Sequence, residues 1–346
     1  MISKISCGVV IYDEISDIKR LIPLLKSELS QIQVEWVFIL NHEESEIRQW
    51  IKTWILQNLP EAICLENPSN NLGYARQLVL EQASLDYIYM TDPDIELIPG
   101  SLNQLIHLAE SDDILKNQPP IIGYSGTLLH KSNNSFLQNT YDVILKISKN
   151  IPFAFQTQQH SGLEKVDHIP SCHILLKKND ALKIGGFSPL FSKVGEDLDF
   201  SHRAYNENYR FSFLPTSQAI HYQNFGFDKW LYKVFLFGKV QIAVQKKNHS
   251  KGLRYYRLLP LVCLLGLVGF SILWTDLFYL FMFIAFMIGF LNIGFLGFIL
   301  TFLSYSLGEF FEILSPTTEL KNEAALQALN HDLASQVLKT NTSSSR

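Results

Sequence analysis

"YIYMTDPDIELIPGSL", residues 87–102, passes from a short strand-forming run into Asp92 and Asp94, two carboxylates one position apart held open by Pro93. Similar runs stand earlier in the chain, at Ser6 to Ile11, Val34 to Leu40 and Ala62 to Leu65. Helical stretches separate them. "ISDIKRLIPLLKSEL" sets Ile15, Ile18, Leu21, Ile22, Leu25 and Leu29 on one face, and "ESEIRQWIKTWILQNL" does the same with Ile47, Trp50, Ile51, Trp54 and Ile55. Strand and helix alternating at this spacing predict an α/β fold with a parallel sheet covered on both faces. Such sheets bind ligands at the carboxyl ends of their strands, and the D-P-D lies at one of those ends.

The ligand is narrowed by what is missing. No G-x-G-x-x-G follows the first strand and no G-x-x-x-x-G-K-[ST] occurs, so neither common glycine loop cradles a phosphate. Two aspartates spaced one apart instead offer oxygens to one hard divalent cation, Mg2+ or Mn2+, which can bridge the phosphates of a nucleotide. A bare D-x-D is also a common turn, so the motif needs company. It finds some in "GGFSPLFSKVGEDLDFSHRAYNENYRFSFLPTSQAIHY", residues 185–222, where Glu196, Asp197 and Asp199 crowd a predicted helix start behind Gly195. The helix dipole favours acids there, and Asp199 with Arg203 forms an i,i+4 pair.

Four pieces together, "NNLGYAR" (70–76), "TDPDIELIPGSL" (91–102), "GGF" (185–187) and "GEDLDFSHRAYNENYRFSFLP" followed by His221, resemble the inverting family 2 glycosyltransferases of the GT-A fold, of the rhamnosyltransferase-like, membrane-associated bacterial type. The resemblance covers roughly residues 5–225. It implies a Rossmann-like nucleotide-binding sheet plus an acceptor-side region as a catalytic domain over 1–227. It also implies transfer of a hexosyl or deoxyhexosyl unit from a nucleotide-diphosphate sugar to a hydroxyl of a glycan, in cell-surface polysaccharide assembly. On matching positions, Asp92 lies near the ribose, Asp94 holds the metal, His221 completes the metal site, and Asp92 counts with both. Asp197 is the general base, with Glu196 beside it in the catalytic pair. Asp13, Asn41, Gly73 and Arg76 join Asp92 in binding the nucleotide sugar. Asn41 stands where the family has an Asp that holds the base, and "QLVLEQA" lacks the Asn that commonly follows the arginine. A catalytically inactive, membrane-tethered sugar-nucleotide- or glycan-binding protein is the alternative. A processive synthase is disfavoured, because "QNFGFDKW" lacks the arginine of Q-x-x-R-W, and "GYSGT" is not the G-x-S-x-G of a serine hydrolase.

Hydrophobic residues make up 47% of the 346, and they are concentrated late in the chain. Between Leu258 and Leu307 stand one acid, Asp276, and no basic residue. The runs 258–274 and 277–307 predict a C-terminal transmembrane hairpin turning at Thr275-Asp276. Residues 229–257 hold eight Lys or Arg interleaved with aromatics, and predict an interfacial segment that places the catalytic domain at the cytoplasmic face of the inner membrane, in a multi-pass protein. On this reading the domains are 1–227, 228–257, 258–307 and a cytoplasmic tail at 308–346, and the glycan acceptor is lipid-linked. Nucleic acid is not an expected partner. The start "MISKISCGVVIYD" is not a signal peptide, and the four cysteines have no C-x-x-C spacing.

Overall fold

The computed structural model describes residues 2–115, 119–147, 164–166, 169–248 and 293–314, grouped in two compact units. The first unit holds the sheet. Its parallel half is β1 (Lys4–Ile11), β2 (Gln33–Leu40), β3 (Ile63–Glu66) and β4 (Tyr87–Thr91), linked by α1 (Ile15–Glu28), α2 (Ser45–Asn58) and α3 (Leu72–Gln82). These strands form because their apolar runs are continuous and can be buried on both faces: Ile5, Cys7, Val9, Ile11, Phe38 and Leu40 are all fully buried. α1 lays Ile18, Leu21, Ile22 and Leu25 onto the same core.

Beyond β4 the expected parallel pattern gives way to a mixed one. β5 (Ile95–Leu97), α4 (Ser101–Leu115), β6 (Ile121–Lys131), α5 (Ser135–Ile147), β7 (Glu164–Val166), β8 (His173–Lys177), α6 (Lys178–Lys183), α7 (Glu196–Asn206) and β9 (Arg210–Tyr222) follow. The strand order is β3-β2-β1-β4-β8-β6-β9-β5, with β7 pairing β9. Two antiparallel registers position the D-P-D: Thr91 lies opposite His173, and Ile95 opposite His221.

A buried polar chain ties these strands together. Tyr89 Oη lies 2.8 Å from His173 Nδ1, His173 Nε2 lies 3.2 Å from Ser217 Oγ, and Ser217 Oγ donates to Ser101 O at 3.0 Å. Since the Ser217 proton is spent on Ser101 O, His173 Nε2 must carry the imidazole proton and Nδ1 must accept from Tyr89. The ring is neutral, and burial pushes its pKa down to about 4.

The second unit contains α5, α8 (Phe227–Lys247) and α9 (Ile293–Leu314). Leu137 and Tyr141 of α5 form a small core with Phe225, Phe227 and Trp230. α8 and α9 are joined by polar contacts as well as apolar ones: Trp230 Nε1 donates to Thr301 Oγ1 at 3.0 Å, Ser304 Oγ to Leu231 O at 2.7 Å, and Lys246 Nζ to Glu312 O at 3.0 Å.

These contacts correct the membrane expectation. Residues 258–292, with the first expected span and the start of the second, lie outside the described residues. The remainder of the second run does not end at Leu307 but continues as α9 through Glu309 and Glu312, both buried, to Leu314. Among the described residues no helix is long and apolar enough to cross a membrane. A C-terminal transmembrane hairpin is therefore unsupported, and with it the multi-pass placement in an inner membrane. The basic residues expected in an interfacial segment are partly in α8, and Lys246 serves the carbonyl end of α9. Residues 315–346 of the expected tail lie outside the described residues.

His173 yields a pH prediction. Unfolded, its imidazole protonates near pH 6.5; folded, it resists protonation to about pH 4. The stability it contributes is complete above about pH 6.5 and is lost as pH falls toward 4, with a slope of about 1.4 kcal/mol per pH unit. Because buried carboxyls such as Glu14 titrate with the opposite sign over the same range, the slope is read as a difference: the stability advantage of the wild type over His173→Gln in urea unfolding should shrink with about this slope as pH falls from 6.5 to 5.

Candidate active site

The site is assembled at the carboxyl ends of β1, β2, β3 and β4 and at the start of α7. After β1 the chain turns through Tyr12, Asp13 and Glu14. The Glu14 carboxylate folds back to accept the Tyr12 and Asp13 amides at 3.0 and 3.2 Å. Burial, then the neighbouring charges of Asp13 and Asp94, push its pKa up to about 7 against the lowering effect of the Tyr12 and Glu14 amides. Asp13 itself is exposed. After β2, Asn41 is fully buried, and its amide N–H donates to Ile11 O at 2.6 Å. Its side-chain Oδ1 accepts from Asn67 Nδ2 at 2.7 Å.

α3 opens behind Asn71, whose Oδ1 accepts the Tyr74 amide at 2.9 Å as a helix cap. Gly73 follows for a steric reason. A Cβ there would stand 2.1 Å from Ser188 O, because the Leu72 and Gly73 amides donate to Ser192 O and Phe191 O at 2.8 and 3.2 Å. Gly73 thus lets the start of α3 touch the backbone of 188–192, and its role among the nucleotide-binding candidates is to seat Arg76 one turn on.

Arg76 is the centre of the arrangement. Its buried guanidinium donates from Nη2 to both oxygens of Asp92, at 3.1 and 3.2 Å, and its Nε lies 3.2 Å from Glu196 Oε1. The Nε contact is an ion pair without an aligned hydrogen bond. Burial disfavours the charged guanidinium, but Asp92, Glu196 and Asp197 more than offset this and raise its pKa above the usual arginine range. Glu196 is itself buried and takes a hydrogen bond from Ser171 Oγ at 3.2 Å. Burial and then the Asp197 charge push its carboxyl up, against Arg76.

α7 begins at Gly195, whose φ of +93° is the left-handed conformation that favours glycine. The three expected acids occupy its first turn and divide their tasks. Glu196 faces Arg76. Asp199 is fully buried and pairs with Arg203 at 2.9 Å, as the i,i+4 spacing predicts. Arg203 also donates to Ile184 O and Gly186 O, each at 2.5 Å, which pins the "GGF" turn. Asp197 remains half-buried, with Oδ1 taking the Leu198 amide at 2.7 Å.

Asp92 and Asp94 diverge. The Ile95 amide closes the turn onto Asp92 O at 3.2 Å. Asp94 Oδ2 then stands 3.1 Å from His221 Nε2, a contact set by the β5–β9 register. Asp94 and His221 are brought together, whereas Asp92 is turned to Arg76. Among the described residues no group of three or more His, Cys, Asp or Glu is arranged to hold a metal ion. Three residues escaped sequence reasoning. Tyr12 is half-buried, and burial raises its pKa, as do Asp92 and Glu196, whereas Arg76 and Asn41 lower it. Its place directly after β1 was the available signal. Ser171 and Asn67 have no motif to mark them.

Residues 6–181 match the family described as Glycosyl transferase family 2. The chain belongs to this family. The low-salt glycan biosynthesis hexosyltransferase Agl10 of Haloferax volcanii is 24% identical over 229 residues, 64% of this chain and 68% of that one. The mannosyltransferase PcManGT from Pyrobaculum calidifontis, solved in complex with GDP-Man and Mn2+, is 12% identical with a TM-score of 0.62, covering 90% of this chain and 87% of that one. The second likeness shows the shared fold, a mixed α/β arrangement of GT-A type. This family 2 member is a glycosyltransferase, and sugar transfer in glycan biosynthesis is the activity its kinship supports.

The Gly73 contact gives a direct test of the scaffold. Gly73→Ala should force α3 away from 188–192 and destabilise the protein by about 1–3 kcal/mol, read as a lower denaturation midpoint.

Proposed function

We propose that this glycosyltransferase moves a hexosyl or deoxyhexosyl unit, with inversion, from a nucleotide-diphosphate sugar to a hydroxyl of a lipid-linked glycan in cell-surface polysaccharide assembly. The observation that carries the reading is the position of Asp197. It shares the start of α7 with Glu196 and Asp199, yet Arg76 engages Glu196 and Arg203 engages Asp199, while Asp197 makes no ion pair among the described residues. A half-buried carboxylate so placed is the group able to take the proton of an acceptor hydroxyl.

The acceptor oxygen forms a bond to the anomeric carbon as its proton passes to Asp197. The bond from that carbon to the diphosphate oxygen breaks, and its electron pair leaves with the nucleotide. One displacement needs one base, and no carboxylate nucleophile is called for. Asp92, held by Arg76, is set to meet the ribose, with Tyr12, Asn41, Gly73 and Asp13 shaping the crevice around the nucleotide.

Asp94 and His221 fit a divalent cation. A hard cation of the Mg2+ or Mn2+ kind takes one or two protein groups and fills its other positions with phosphate oxygens and water, which suits a carboxylate and an imidazole 3.1 Å apart better than a closed cage would. Bound there, it would supply the positive charge that stabilises the departing diphosphate. PcManGT, solved with GDP-Man and Mn2+, supports that donor and cofactor class for this chain. A lipid-linked acceptor is supported by α8, which exposes Tyr232 and Phe237 along a helix that also carries Lys229, Lys233 and Lys239.

Asp197→Asn should bind the nucleotide sugar as the wild type does and turn over more slowly, by a factor on the order of 10² to 10⁴. Steady-state kinetics with a donor titration in Mn2+ measures both quantities, and EDTA should abolish transfer by either protein. Near-normal turnover in Asp197→Asn would remove the base from this residue.

A further inference from the structure

The end of α7 far from its three acids borders a cavity. Glu196 and Asn206 open and close this helix, about 15 Å apart at the usual helical rise. The chain turns off the helix through Asn208, whose φ of +63° is left-handed, and the Asn208 and Tyr209 amides donate back to Tyr205 O and Ala204 O at 3.0 and 2.8 Å. The turn is held to its surroundings by two contacts: the Arg210 amide donates to Pro120 O at 3.0 Å, and Tyr209 Oη donates to Asp180 Oδ1 of α6 at 3.0 Å. Between α6, this turn and the start of β6 lies a cavity of about 570 Å³. Pockets that take organic ligands run from about 300 to 1,000 Å³.

The lining points to the chemistry of the ligand. Sites for apolar molecules are walled mostly by aliphatic and aromatic side chains. Here Lys183, Asn206, Glu207 and Asn208 are exposed at the cavity, and Pro120 and Ile184 add a small apolar wall. The charges balance. Arg203 also borders the cavity, but Asp199 holds its guanidinium at 2.9 Å and the Ile184 and Gly186 carbonyls take further N–H groups, so its charge is spent within the fold. Lys183 and Glu207 then offset one another, and a polyanion such as a nucleoside diphosphate meets no excess of positive charge. Two side-chain amides that both donate and accept, an ammonium that donates and a carboxylate that accepts match a ligand dense in hydroxyls, since each hydroxyl also does both. Asn208 adds to this, because glycine takes a left-handed helix-ending position with less strain, whereas asparagine keeps an amide at the cavity. We propose that the cavity is a binding site for a neutral saccharide, separate from the site of transfer.

Neutral tetrasaccharides of glucose, galactose and mannose are suitable probes for the whole chain, with tetragalacturonate as the charged comparison. At millimolar concentration at least one neutral tetrasaccharide should shift the NMR signals of the Asn206 and Asn208 side-chain amides, in EDTA as well as in Mn2+. Lys183→Ala and Glu207→Ala together should weaken that binding by roughly tenfold, while Asp197→Asn leaves it unchanged. Unmoved amides with all three neutral probes would overturn the proposal, and this wild-type result suffices should the double variant fail to fold. Binding that survives the double variant and is lost in Asp197→Asn would also overturn it, because the saccharide would then sit in the transfer site. Tighter binding of tetragalacturonate than of every neutral probe would overturn the assignment of a neutral ligand. The probes carry no nucleotide, so none of these results bears on the donor reading.

Discussion

The arrangement depends on one buried cation. Arg76 is carried by α3, yet its guanidinium satisfies Asp92 from the end of β4 and Glu196 from the start of α7. Taking a guanidinium out of water costs several kcal/mol, which two carboxylates at about 3 Å can offset and one absent partner would leave exposed. Three elements far apart in sequence are thereby tied at one point. The close seating of α3 on 188–192, which requires Gly73, delivers the guanidinium there.

The pairing also explains why neighbouring acids with the same chemistry take different roles. Arg76 removes Asp92 and Glu196 from free use. His221 stands by Asp94 through a strand register, and Arg203 takes Asp199 into the scaffold of the "GGF" turn. Asp197 is what remains. A site that separates the Asp94–His221 pair from a carboxylate with no ion pair among the described residues suits a reaction in which a proton leaves one reactant and negative charge builds on the leaving group of the other.

Much of this was legible in advance, for reasons that differ by element. β1 to β4 appear within a residue or two of their expected limits, because strands buried on both faces are unbroken apolar runs. The i,i+4 spacing of Asp199 and Arg203 announced their pair. The antiparallel strands β5 to β9 were not legible from periodicity. β5 is three residues long, and β6 and β9 pair with partners distant in sequence, so only the resemblance to a family implied them. The division of labour among the acids was equally hidden, since it is decided by which cation reaches which carboxylate in three dimensions. The membrane hairpin failed where composition was read without partners. Thr301 and Ser304 of α9 hydrogen-bond α8, a contact that hydropathy along the chain does not register.

If Asp197, which makes no ion pair among the described residues, serves one direct displacement, the first-formed product carries inverted stereochemistry. With a donor of known anomeric configuration, the anomeric proton coupling of the new glycoside, read by NMR before mutarotation or a second transfer, should report the opposite configuration. Retention would require a second displacement and a carboxylate nucleophile, and would rule out a single displacement served by Asp197.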